Sequence, residues 1–375
     1  MRILIAIGTR PEAIKMASLI KYFKEDTYFD LRVCNTGQHM ELIQPILDLF
    51  NIEPEYNLSL MRSNSSISDL FGSILSSVTD VIKDFEPDIV FVHGDTATTA
   101  ASSIASYFCK TQVAHIEAGL RTGNIYSPWP EEGNRKIVAN LTNLHFSPTV
   151  KAKTNLVNEG VCESQIFVTG NTVIDSLFLA LNILDENKNL KKILENRYNY
   201  IDDEKKLILV TGHRRENFGD GFLNICEALQ ELSLKNADAQ IIYPVHLNPN
   251  VQKPVTEILS NNKNIHLIEP VGYLDFIYLM KKSYFILTDS GGIQEEAPSL
   301  GKPVLLMRDT TERPEAVEAG TVKMVGAIKE SILHSSQELL DNQNLYNSMS
   351  KANNPFGDGN SCKTIINILK GKYNE

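Results

Sequence analysis

Two doubly wound α/β domains are what this 375-residue sequence predicts, and three observations predict them. Short β-rich apolar runs alternate with helix-length stretches. The alternation pauses at one polar segment and then starts again. Chemistry-bearing side chains gather just past the ends of the apolar runs.

In the first half the runs are ILIAIG (3–8), LRVCNT (31–36), DIVFVHG (88–94), QVAHIEAG (112–119) and QIFVTG (165–170). Between them lie AIKMASLIKYFKE and TATTAASSIASYFCK, both helical in pattern. Strands apolar on both faces and joined by helical crossovers belong to a parallel sheet covered on both sides. Residues 184–206, LDENKNLKKILENRYNYIDDEKK, read as an exposed helix and loop. After them come KLILVTGH, AQIIYPVH, NIHLIEP, YFILTD, PVLLM and TVKMVG. We expect a first domain over 1–170, a second over 171–358, and a last helix near 359–375 that packs back on the first. Ligands of such sheets bind beyond the carboxyl ends of the strands. With two domains, the expected site is the cleft where both sets of ends meet.

The totals narrow the function. A formal charge of −10 argues against nucleic acid as partner, since phosphate backbones are met with basic surface. Any anion must therefore find a local basic pocket. The five cysteines are scattered and form no CxxC pair, so neither a zinc framework nor a disulfide scaffold is implied. The first apolar run is too short for a signal peptide, and no segment approaches the ~20 apolar residues that span a bilayer. A cytoplasmic protein is the expectation.

The strand ends supply that pocket. The first turn, GTRPEAIK, lacks the GxGxxG spacing that admits a dinucleotide, and offers Arg10 and Lys15 at a helix start that favours anions. HGDT and HIEAG place His93 with Asp95 and His115 with Glu117. These four could hold a transition metal, although no HExxH or aspartate-rich signature supports one. Alternatively the histidines bond loop carbonyls and Asp95 caps the following helix. Glu117 resists a structural explanation, because an unpaired carboxylate at the end of an apolar strand is costly. In SPWPEEGNR, Pro130 suits a first helical turn, where the positive helix end would favour Glu131 and Glu132. Trp129 could wall the site or pack in the core. In the second half, GHRREN brings His213, Arg214 and Arg215, YPVH adds His246, and SGGIQEE and RDTTERPEA bring glycines, Arg308 and Arg313. Guanidinium forks match phosphate oxygens.

Taken together, GTRPEAIKMA, HGDT, HIEAGLRTG, SPWPEEGNR, GNTVID, GHRREN, YPVHLNPN, TDSGGIQEEAPSLGKPVL, RDTTERPEA and NPFGDG run from end to end of the chain. In them the sequence resembles the non-hydrolysing bacterial UDP-N-acetylglucosamine 2-epimerases. The resemblance implies two Rossmann-like domains of the glycosyltransferase-B type, and reversible inversion at C2 between UDP-GlcNAc and UDP-ManNAc. It implies a homodimer with no nicotinamide and no metal. Asp95, Glu117 and Glu131 match the family's catalytic acids and His213 its catalytic histidine. Arg10 and Lys15 would contact the diphosphate or sugar side, and Ser290, Gly291, Gly292 and Arg313 the phosphates. Glu296 would reach the ribose hydroxyls, leaving Glu295 to the helix dipole or solvent. Phe276 would border the uracil, and Val271 could touch it only through its backbone.

Gln38, His39, Glu131, Arg214 and His246 match positions where some members bind a second UDP-GlcNAc as activator. Glu41, Asn64 and Ser65 depart from that pattern, which has Gln, Arg and Gln there. The rivals are a hydrolysing epimerase, a glycosyltransferase of the same fold, and a nucleotide-sugar sensor without activity.

Overall fold

The computed structural model describes residues 1–38, 40–60 and 66–373, and the chain divides into two compact units. One comprises Met1–Leu179 with Phe356–Glu375; the other is Ala180–Pro355.

Among the described residues, the first unit contains seven strands. They are β1 (Arg2–Ile7), β2 (Asp30–Asn35), β3 (Tyr56–Asn57), β4 (Ile89–His93), β5 (Gln112–Ile116), β6 (Leu144–Ser147) and β7 (Ile166–Val168). They pair in the order β3-β2-β1-β4-β5-β6-β7, parallel throughout. β1 is buried from Ile3 to Ile7 and β4 along its whole length, which explains their unbroken apolar sequences. The helix Ala97–Phe108 is rich in alanine and serine, so its backbone can approach helix Ile67–Phe85 closely. Ala100, Ala101 and Ala105 pack there with Ile74, Val78, Val90 and Val92 in one core. Strand order reverses between β1 and β4, and the loops that follow these two strands flank that switch point. Those loops are GTR and HGDT.

The second unit contains β8 (Lys206–Thr211), β9 (Ala239–Pro244), β10 (Ile265–Ile268), β11 (Phe285–Thr288), β12 (Val304–Leu306) and β13 (Val322–Met324). They pair in parallel in the order β10-β9-β8-β11-β12-β13. Its core joins Ile208, Val210, Phe222, Leu229, Ile241, Tyr243, Leu287 and Leu305. Here the switch point lies between β8 and β11, whose following loops are GHRREN and DSGG, the second leading into helix Ile293–Ser299.

β3 and β6 were not among the runs expected from sequence. β6, LHFS, is buried along its length although half of it is polar. The polar stretch after residue 184 forms helix Lys188–Arg197, anchored by buried Leu194, with buried Tyr198 just after it. The last helix is Ser361–Tyr373, and its first amides, Ser361 and Cys362, donate to Asp175 of the first unit at 3.3 and 2.9 Å. Among the described residues no helix is long and apolar enough to cross a membrane.

Candidate functional site

In the first unit the ends of β4 and β5 lie in register, His93 opposite Ile116, so His93 and Glu117 become neighbours. Glu117 is buried and adopts φ +65, a left-handed conformation rare for a side chain with Cβ. Strain of this kind persists only where surrounding contacts enforce it. Those contacts are identifiable. Lys15 forms an ion pair with Glu117 Oε2, the Asn171 side-chain amide donates to the same oxygen at 2.8 Å, and His93 Nε2 stands 3.7 Å away. Burial pushes the His93 imidazole down to about 4, so its ring is neutral near pH 7. His115 has a different task. Its Nε2 bonds the Gly94 carbonyl at 2.7 Å, and burial lowers it to about 3.

Asp95 does not cap the helix after it. Thr96 does, accepting from the Thr99 amide at 3.1 Å. The Asp95 carboxylate pairs instead with Arg135, and its carbonyl accepts from the Asn134 side chain at 2.8 Å. Helix Glu131–Leu141 begins after Pro130, which takes the cap position rather than the first turn. Its two leading acids have separate fates. Glu132 is fully buried and accepts from the Thr122 amide at 3.2 Å. Glu131 keeps one buried oxygen, Oε2, with no hydrogen-bond partner. Trp129 is 62% exposed, so it is not a core residue.

Just before helix Arg10–Glu25, the amides of Gly8 and Thr9 are taken by the chain's own anion, Glu12. Its carboxylate accepts from Gly8 N (3.0 Å), Thr9 N and Thr9 Oγ1 (both 2.8 Å), Thr96 Oγ1 (2.6 Å) and Thr99 Oγ1 (3.2 Å). Burial raises the Glu12 carboxyl, with these donors opposing. Lys15, expected beside a diphosphate or sugar, sits on Glu117, and Arg10 is the half-buried first residue of this helix. Gln38 is half-buried and accepts from Thr98 Oγ1 at 3.2 Å. His39, Asn64 and Ser65 lie outside the described residues.

In the second unit Asp289, at the end of β11, is fully buried. Its Oδ2 accepts the amides of His213 and Arg214, both at 2.8 Å, and its Oδ1 lies 3.5 Å from His213 Nδ1. The His213 ring stacks on His246, with centroids 5.4 Å apart and planes 18° from parallel. Burial lowers the His213 imidazole; Asp289 opposes that shift, and His246 and Arg214 add to it. Arg214 Nε is buried with no hydrogen-bond partner.

Gly291 lies against the guanidinium of Arg313: a Cβ there would stand 2.7 Å from Nη1. Glu295, expected to serve the helix dipole or face solvent, is 0% exposed and ion-paired to Arg313. A buried carboxylate with a partner in this position orients the arginine fork. Glu296 is also buried and accepts from the Tyr273 hydroxyl at 2.8 Å, while the Ser290 amide donates to Thr288 Oγ1 at 2.9 Å. Arg308 is engaged elsewhere, by Glu216 at 2.6 Å and Glu312 at 2.8 Å. A cleft of about 270 Å³ is lined by Arg197, Tyr198, Val271, Gly272 and Asp275 among others, and half-buried Phe276 follows Asp275 in the same helix. Among the described residues no three His, Cys, Asp or Glu side chains converge as a metal-ligand set.

A family model described as UDP-N-acetylglucosamine 2-epimerase matches residues 21–370. This chain belongs to the UDP-N-acetylglucosamine 2-epimerase family. A UDP-N-acetylglucosamine 2-epimerase of Campylobacter jejuni is 57% identical over 379 residues, covering 100% of this chain and 99% of its own. One from Escherichia coli K12 is 51% identical over 370 residues, 99% of this chain and 98% of its own. Among solved structures, the Neisseria meningitidis UDP-GlcNAc 2-epimerase bound to UDP-GlcNAc superposes with TM-score 0.92 at 50% identity, covering 99% and 100% of the two chains. The fold is thus two parallel-sheet α/β units of glycosyltransferase-B type. A Rickettsia africae glycosyltransferase, at TM-score 0.65 and 18% identity, shares that fold alone.

Within this epimerase-family chain the expected residues fall into two clusters. Lys15, Asp95 and Glu117 sit at the switch point of the first unit, with Glu131 on the helix whose Arg135 pairs with Asp95. His213, His246, Ser290, Gly291 and Arg313 gather at that of the second. Sequence reasoning missed Arg135, Asn171 and Asp289 as individuals. Each lies inside a motif that was singled out (PEEGNR, GNTVID, TDSGG), but its partner is 40 to 76 residues away in the chain.

Proposed function

We propose that the protein interconverts UDP-GlcNAc and UDP-ManNAc by anti-elimination of UDP to a 2-acetamidoglucal and re-addition of UDP, using neither nicotinamide nor metal. It would act as a cytoplasmic homodimer and supply ManNAc units for a cell-surface polysaccharide. The C2 hydrogen of the sugar is not next to a carbonyl, so its direct removal is very unfavourable. Departure of UDP from C1 gives an oxocarbenium-like centre and acidifies the neighbouring C–H. Such chemistry needs carboxylates that stabilise positive charge and move protons, and a grip that retains the expelled diphosphate.

The observation that carries the proposal is the strained, buried Glu117 with Lys15, Asn171 and His93 around it. Glu117 or Asp95 takes the C2 proton and Glu131 handles a proton in the other direction. Arg10 lies toward the diphosphate or sugar. His213, Ser290, Gly291, Gly292 and Arg313 hold the diphosphate, Glu296 the ribose, and Val271 with Phe276 the uracil. Gln38, His39, Arg214 and His246 are the candidate residues for a second, activating UDP-GlcNAc.

Proton NMR of UDP-GlcNAc alone with the enzyme in D2O tests the reading. UDP-ManNAc must persist near equilibrium, with deuterium at C2. Free ManNAc with accumulating UDP would indicate the hydrolysing reaction, and silence would fit a transferase or a sensor. Glu117→Gln should lose C2 deuterium incorporation; normal exchange in that variant removes Glu117 from the base role.

A further inference from the structure

We infer that Asp289 is a positioning residue for His213, holding the ring with its Nδ1 proton turned inward, so that a diphosphate arriving at Nε2 is accompanied by protonation there. This rests on the proposed placement of a diphosphate beside His213.

Strand pairing brings the two residues together. Thr288 is opposite Thr211 in the β8–β11 ladder, and the Asp289 amide continues it by donating to the Thr211 carbonyl at 3.2 Å. The buried carboxylate then divides its work. Oδ2 is committed to the two backbone amides of the turn that carries His213. Oδ1, equally buried, has no hydrogen-bond partner and lies 3.5 Å from Nδ1. A buried carboxylate oxygen is an obligate acceptor, and Nδ1–H is the donor within a small ring rotation of it. The His246 ring, stacked on His213, limits the alternatives. His246 is itself oriented, since its Nδ1 accepts from the Asn248 amide at 3.1 Å.

The consequence concerns the outer nitrogen. With the proton on Nδ1, a neutral ring presents a lone pair at Nε2, which repels phosphate oxygens. The ring must gain a proton to donate to them, and the Asp289 carboxylate then faces the new positive charge. The charged or titratable groups around the ring are Asp289 after β11, His246 after β9 and Arg214 in its own turn. Of these only Asp289 favours the cation. Asp289→Asn inverts the arrangement. The amide oxygen stays with the two backbone donors, the NH2 faces Nδ1, and the proton moves to Nε2. The variant ring can then meet a phosphate while neutral.

Two measurements decide the matter. Nitrogen-15 NMR of the ligand-free protein at pH 7.5 should show His213 protonated on Nδ1, and on Nε2 in Asp289→Asn. Calorimetric titration with UDP in buffers of different ionisation enthalpy should show proton uptake by the wild type, at least about threefold smaller in the variant. An Nε2–H ring in the wild type overturns the assignment even if the variant fails to fold, as does one tautomer common to both proteins. UDP binding that leaves the His213 resonances unmoved overturns the diphosphate placement and the coupled protonation, while the tautomer stands or falls by the first measurement.

Discussion

Replacing Gly291 by alanine probes the proposed diphosphate grip without substituting a charged group. The new Cβ would lie 2.7 Å from Arg313 Nη1, whereas ordinary contact begins near 3.4 Å. The guanidinium must retreat by roughly 0.7 Å, and its Nε end is tethered to buried Glu295. Gly291 is not in the left-handed region, so alanine adds no backbone strain. Stability should fall by only about 1 kcal/mol, the low end for adding a methyl at a buried site, because what must move is a side-chain end and not backbone. A charge-assisted hydrogen bond from Arg313 to phosphate is worth ~1.5–3 kcal/mol. Losing about half of it weakens UDP by ~0.8–1.5 kcal/mol, roughly four- to twelvefold in Kd. Calorimetry of UDP binding in Gly291→Ala, Arg313→Met and the double variant gives the coupling. If Gly291→Ala costs as much in the Arg313→Met background as in the wild type, the effect does not pass through Arg313 and the reasoning fails.

Asn171→Ala removes the amide that donates to Glu117. It should lower kcat about tenfold, ~1.4 kcal/mol, with UDP affinity unchanged; an equal loss of UDP affinity would show a general disruption instead. Glu12→Ala strands two amides and two hydroxyls, while Thr99 keeps the His93 carbonyl, and should destabilise the protein by ~3 kcal/mol, read as a clear drop in Tm. A Tm within about 2 °C of the wild type would mean that those donors find other acceptors. His93, His115 and His145 are lowered by burial to about 4, 3 and 4 from an ordinary value of 6.5. Below pH 6.5 the unfolded chain therefore binds protons that the folded one refuses, and stability falls as pH drops from 6.5 toward 4. Each ring contributes up to ~1.4 kcal/mol per pH unit, offset in part by Glu12 and Asp175, whose carboxyls burial raises. Urea midpoints at pH 7.5, 6.5 and 5.5 report this, and a flat profile would contradict neutral buried rings.

The parts of the fold legible in the sequence were those with one dominant physical signal. β1, β4, β8 and β11 are buried on both faces, and an unbroken apolar run has little else to be. β6 escaped notice because His145 and Ser147 are buried polar residues within four positions, which breaks the pattern that identifies a strand. Caps were ambiguous for a different reason. Asp95 and Thr96 are both good capping residues and stand side by side, so only the backbone decides that Thr96 caps and leaves the Asp95 carboxylate to Arg135. Lys15 could be recognised as a cation at a strand end, but not as the partner of a carboxylate 102 residues later. Glu295 was misjudged because dipole compensation explains any acid in a first helical turn, whether buried or exposed. Motifs give residue types and loop positions; pairings across the sheet come only with register.

The last helix has a consequence for the order of events during synthesis. Residues 356–375 belong to the first unit, where Asp175 holds the start of their helix, while 180–355 form the other unit in between. A ribosome therefore polymerises the whole of the second unit before it has supplied the last piece of the first. The earlier half must wait, with the place of its last helix uncovered, until the later half has been made. A nonsense mutation near residue 355 would accordingly damage the unit begun first, and spare the residues of the other.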